Sequence, residues 1–207
     1  MVYRTTALRQ DRDQALRLHI LACALARVSA GGFASLTMQA LAADCGIATG
    51  SLYRHFRSKG ELASQVFAEA SQHEVQALAA AFAHDSAPAQ RLAVGVGQFA
   101  ERAWHSRQLA YALIAEPVDP EVDEQRLRFR QAYAELFTDL LNEGVACTDF
   151  KLQRPQLTAA CLVGAIAEAL VGPLSPAGAE QRTEEQFAEI RRNLITFCMR
   201  AVGAKEY

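Results

Sequence analysis

Apolar residues recur at spacings of three and four along most of the chain, and alternation at period two never persists. β-Branched residues are sparse, while alanine, leucine, arginine and glutamate dominate, a mix that favours helix. The pattern predicts an all-α protein of about nine helices, divided by glycine and proline. They are expected at 11–30, 37–45, 49–56, 58–84, 88–105, 108–116, 120–144, 155–171 and 183–202. Gly31 and Gly32 close the first, and Gly46 hinges the second against the third. Ser58 and Thr183, each followed three residues later by Glu61 or Gln186, open two helices as capping boxes. Asp119 is the expected cap before Pro120, and Gly144 the expected end of that helix. A break from Gly172 and Pro173 to Gly178 separates the last two helices.

The two short helices divide their residues in an informative way. Met38, Leu41, Ala42 and Cys45 form one inward stripe, and Gly46 permits the left-handed backbone of a tight exit. A rotation of about 100° per residue turns Leu52 and Phe56 inward together. Gly50, Ser51 and Arg54 then face outward, with Tyr53 and His55 on the flanks. A gap, a hydroxyl and a guanidinium suit base edges, and the flanking groups suit phosphate oxygens. From pattern alone, an ordinary helical hairpin with a solvated polar face fits equally well.

The runs ILACAL at 20–25, GGF at 31–33, LTM at 36–38 and LAADCGIATGSLYRHFRSK at 41–59, followed by Leu62, closely resemble the N-terminal domain of TetR-family regulators. The resemblance implies an N-terminal three-helix DNA-binding domain with a helix-turn-helix, here 1–57. A helical ligand-binding and dimerisation bundle, here 58–207, would follow. Such proteins are usually homodimeric repressors released from a palindromic double-stranded operator by a small-molecule effector. By position, Tyr53, His55 and Lys59 match the phosphate contacts, and Thr49, Gly50, Ser51 and Arg54 the base-facing positions. Thr37 and Gln39 are candidate contacts from the preceding helix. Ala48 stands where the family often has a capping serine, so Thr49 is a candidate cap as well as a candidate DNA contact.

In the remainder, the helix at 155–171 is apolar nearly all round, with Ala159, Ala160, Gly164, Ala165 and Ala167 allowing close approach. Phe187, Ile190, Leu194, Phe197 and Ala201 form a heptad-like seam in the last helix. Together they predict half of an intermolecular four-helix bundle, although both helices also fit a plain monomer core. Glu168, alone in its apolar helix, either pairs with an arginine across the dimer or points at a ligand. Phe99, Trp104, Tyr111, Phe129 and Tyr133 are candidate pocket residues with Glu168, and Phe137 is a further aromatic of the middle helices. Arg126, Arg128 and Arg130 form either a site for an acidic ligand or a solvated face.

Charge adds a mild asymmetry: residues 1–70 hold eight Lys/Arg and five Asp/Glu, the rest thirteen and eighteen. A positive head on a negative body suits an anionic polymer at one end. The five cysteines form no CxxC pair and are expected to be small hydrophobes in a reducing cytoplasm. The uncharged run at 155–167 is too short to span a bilayer, and no signal peptide is expected. The histidines stand apart, without an HExxH motif, nucleophile elbow or glycine-rich phosphate loop, so no enzyme is expected. His19 and Cys23 are an i, i+4 pair of possible metal ligands, but lack a clear third; neither metal nor cofactor is expected.

Overall fold

The computed structural model describes residues 2–151, 154–177 and 183–204, and among them there is no strand. Nine helices follow in order among these residues: α1 Val2–Gly31, α2 Met38–Asp44, α3 Thr49–His55, α4 Lys59–Phe82 and α5 Pro88–His105, then α6 Arg107–Ile114, α7 Pro120–Ala146, α8 Pro155–Leu174 and α9 Glu184–Ala201. A single 3-10 turn, Phe33–Ser35, joins α1 to α2.

The ends of the helices show which local signals acted as expected. Thr183 and Gln186 form a reciprocal capping box. At α4 only half of one forms: Ser58 Oγ accepts from the Glu61 amide at 3.0 Å. The Glu61 carboxylate reaches one residue further, to the Arg57 amide at 2.8 Å. That bond and the Arg57 guanidinium hold Glu61 below the usual carboxylate range. Asp119 precedes α7 without a side-chain cap, and α7 runs through Gly144 to Ala146. Gly144 is needed for packing, because a Cβ there would collide with the Phe150 ring. The first helix starts at Val2, nine residues before its predicted start, so the polar lead extends it. Gly178 and the rest of the 178–182 stretch lie outside the described residues.

Two apolar clusters hold the chain together. The first joins Ile20, Ala24 and Val28 of α1 to Leu36, Leu41, Leu52 and Phe56, and continues into Leu62, Val66 and Phe67 of α4. Ala112 of α6 and Val122 of α7 close it, so this core extends past residue 57. The second cluster fills the bundle of α4, α5, α7, α8 and α9. It is held at the α5–α9 contact by Trp104 stacked on Phe187, with ring centroids 4.6 Å apart.

In α9 the predicted seam divides. Phe187 and Leu194 are buried in the chain's own core with Cys198 and Met199, whereas Phe197 is 51% exposed and Ala201 is exposed. The helix turns its 187–194–198 edge onto the bundle, which leaves Phe197 on the flank of that edge, open to solvent. In α8, Ala159, Leu162, Ile166 and Leu170 are buried, while Leu157 is 61% exposed. Ala160, Cys161, Gly164 and Glu168 continue that outer stripe at spacings of three and four. By length and composition the whole 20-residue α8, longer than the uncharged run at 155–167, is apolar enough to cross a membrane. One of its faces nonetheless belongs to the bundle core. The cysteines are also less uniform than expected: Cys198 is buried, Cys23 and Cys45 half-buried, and Cys147 and Cys161 exposed.

Candidate nucleic-acid interface and effector cavity

The helix-turn-helix stands on a closed floor. Met38, Leu41, Ala42, Leu52 and Phe56 are all buried, and Gly46 makes the turn at a φ of 66°. Above that floor Gly50 is exposed, and a Cβ there would meet nothing within 4 Å. Arg54 is exposed and donates to Ser51 Oγ at 3.1 Å, so guanidinium and hydroxyl form one polar unit on the outer face. Tyr53 is 53% exposed, Lys59 exposed and His55 half-buried. Gln39 is exposed, as is Thr37, whose hydroxyl accepts from the Ala40 amide at 3.2 Å and so caps α2. Ala48 is the N-cap of α3 and makes no side-chain bond, while Thr49 lies inside the helix. Thr49 therefore does not cap, and its hydroxyl stays available at the outer face.

Two clamps fix the angle of this unit. Arg17 of α1 donates to the His55 carbonyl oxygen and, at 2.6 Å, to Gln65 Oε1 of α4, with its guanidinium 4.2 Å from the centre of the Phe56 ring. Arg27 makes a forked pair with Asp44 at 2.6 and 2.9 Å. That pair ties α1 to the end of α2 and holds the Asp44 carboxyl below its ordinary range.

In the body, a cavity of about 100 Å³ lies among α4, α5, α6, α7 and α8. Leu78, Val96, Leu113, Phe137, Val163 and Ile166 supply much of its wall. Of the predicted pocket residues, Phe99, Phe129 and Tyr133 line it. Phe99 and Tyr133 meet edge-on at 5.9 Å, and burial pushes the Tyr133 phenol above its ordinary range. Trp104, Tyr111 and Glu168 do not line it. Trp104 is spent on the α9 contact and donates to Glu184 at 2.8 Å; Tyr111 packs on the bundle core; Glu168 faces outward. Arg126 and Arg130 reach the cavity, whereas Arg128 is exposed away from it. Arg126 is largely satisfied by the Leu113 and Glu116 carbonyl oxygens at 3.0 and 2.8 Å and by Asp123.

The cavity wall is wired to the head. Glu116, just past α6, accepts from the Phe33 and Ala34 amides, both at 2.8 Å. Gly32, at a φ of 69°, lets this carboxylate approach, because any Cβ would overlap it. Arg126 grips the carbonyl of the same Glu116. Arg17 and Glu116 thus position the reading unit, yet neither falls in a local motif; each acts across more than thirty residues of sequence.

Residues 20–66 match the sequence profile of the bacterial regulatory proteins of the tetR family. The sequence likeness to the tetR family lies in this N-terminal segment. No curated protein matches it. Solved TetR-type structures share its fold over nearly their whole length. The fatty acid degradation regulator FadR of Bacillus halodurans aligns at a TM-score of 0.75 and 16% identity, over 92% of this chain and 96% of that one. FadR of Bacillus subtilis, solved with stearoyl-CoA, gives 0.73 and 15%, over 90% and 97%. A tetR-family regulatory protein of Rhodococcus RHA1 gives 0.68 and 21%, over 92% and 98%. The matched 20–66 stretch covers the closed floor, both short helices and the start of α4.

Proposed function

We propose that this chain is a homodimeric, cytoplasmic, non-enzymatic repressor of the TetR family that leaves a palindromic operator when a small molecule enters the α4–α8 cavity. The observation that carries the reading is the outer face of α3: Thr49, Gly50, Ser51 and Arg54 stand over a closed apolar floor. Arg54 reads a base edge, Gly50 lets the backbone approach, and Tyr53, His55 and Lys59 hold phosphates. Thr37 and Gln39 add contacts at the start of α2. Two copies pair through the outer stripes of α8 and α9, where Leu157 and Phe197 are otherwise wet. The division at residue 58 is functional: apart from Lys59 the reading surface ends there, although the packing does not.

The effector class follows from the wall. Apolar side chains surround a space of about 100 Å³, and the exposed Arg130 stands at its edge. An apolar molecule with an anionic end fits this chemistry, and a fatty-acyl thioester, the class bound in the Bacillus subtilis structure, is the first candidate. A long acyl chain exceeds that space, so it binds by spreading the walls. It thereby favours the arrangement in which α6 and Glu116 have shifted. The test is fluorescence anisotropy of a labelled duplex from the region upstream of the chain's own gene. Stearoyl-CoA should release the duplex, butyryl-CoA less and CoA alone not at all. Operator binding that no acyl-CoA disturbs overturns the effector class. Equal affinity for the upstream and a scrambled duplex overturns the operator reading.

A further inference from the structure

The pair on α1 that lacks a third ligand in the sequence acquires one in the fold. His19 Nε2 lies 3.7 Å from Cys23 Sγ. Cys45, which ends α2 and precedes the helix-turn-helix turn, brings its Sγ to the same place, and the three donor atoms all lie within 4.8 Å of one another. Zinc bonds of about 2.0–2.3 Å in a tetrahedron put ligand atoms roughly 3.5–3.8 Å apart, so closing the set takes side-chain adjustments of about an ångström. We infer that His19, Cys23 and Cys45 form a binding site for a thiophilic cation, Zn²⁺ or its d¹⁰ analogue Cu⁺, in the DNA-binding head.

The chemistry of the donors selects the cation. Two thiolates and an imidazole suit soft or borderline ions and disfavour Mg²⁺ and Ca²⁺, which take oxygen. On binding, each cysteine loses its proton to solvent as its Sγ–metal bond forms, and His19 binds through a neutral ring nitrogen. Three protein ligands leave a fourth position for water on Zn²⁺, on the side where His19 is exposed. The surroundings are built for a tie at this point. Arg27, one turn beyond Cys23 on α1, already pairs with Asp44, the neighbour of Cys45. A cation at Cys45 would add a second link between α1 and the end of α2, directly before the Gly46 hinge that sets the angle of the reading helix.

The test uses the full-length, fully reduced protein with Cys147→Ser and Cys161→Ser, which removes the two exposed thiols outside the site. Titration with Co²⁺ should give thiolate-to-metal charge transfer and the visible bands of a four-coordinate site, saturating at one ion per chain and reversed by Zn²⁺. Cys23→Ser and Cys45→Ser should each abolish the charge transfer. The exposed His19→Gln should weaken binding at least tenfold while circular dichroism stays unchanged. Spectra that persist in Cys45→Ser, or no spectral change at micromolar Co²⁺ in protein whose thiols titrate as free, would overturn the site.

Discussion

The head and the body of this molecule manage apolar surface in opposite ways. In the head, α1 to α3 bury Ile20, Leu41, Leu52 and Phe56, and apart from Leu18 and Tyr53 no large apolar side chain is exposed on them among the described residues. In the body, apolar surface is left open inside, around the cavity, and outside, at Val94, Leu127, Leu157 and Phe197. A closed core is what a reading surface needs, because base contacts require a fixed backbone. An open one suits a responsive domain, which in the proposed function a ligand and a second chain complete.

The contrast is broken most severely in α9. Leu194→Glu puts an unpaired carboxylate into the chain's own core, a cost on the order of 3–5 kcal/mol, and should leave the body unfolded by circular dichroism. Phe197→Glu, three residues on, should fold and fail to dimerise. A two-fold interface contains each residue twice. At about 2 kcal/mol per copy, the dimer should weaken by roughly a thousandfold in sedimentation equilibrium. A folded Leu194→Glu chain would show that Leu194 is not in the core, and a Phe197→Glu chain that still dimerises would show that the outer stripe is not the interface. In the head, Gly50→Leu should abolish operator binding in a gel shift while the unfolding free energy stays within about 0.5 kcal/mol of the parent, since the site is open. A comparable loss of stability would mean that α3 packs on something through this face.

The same contrast decides what was legible. In the head, the inward and outward residues follow from helical rotation, and 20–66 carries a family pattern, so the positions of Leu52, Phe56, Gly50 and Arg54 could be read from sequence. In α9, Phe187 and Leu194 share a heptad spacing with Phe197, and spacing alone does not say which partner each one meets. Trp104 and Tyr111 look like Phe99 and Tyr133 by type and location, yet only the packing of the helices, such as α5 on α9 for Trp104, decides which face the cavity. Glu116 and Cys45 are long-range cases: the carboxylate at the head amides and the third donor beside His19 exist only once distant helices meet.

Smaller effects sharpen the division of labour on α3. Arg54→Ala should cost about 1–3 kcal/mol on the operator and relax preference at a single base pair, measured by titrating operator variants. An equal loss on random DNA would make Arg54 a phosphate anchor. Lys59→Ala should weaken all DNA alike and flatten the logarithmic salt dependence by about one unit, since one fewer counterion is released. An unchanged slope would remove Lys59 from the phosphate contacts.

The central claim is that two such heads, joined through α8 and α9, read two half-sites. Hydroxyl-radical footprinting on the DNA upstream of the chain's own gene tests it most directly. The expected result is two protected patches on one face of the duplex, about 10–10.5 base pairs apart or a multiple of that, both absent with Phe197→Glu. A single patch, or protection that Phe197→Glu leaves intact, would contradict the account.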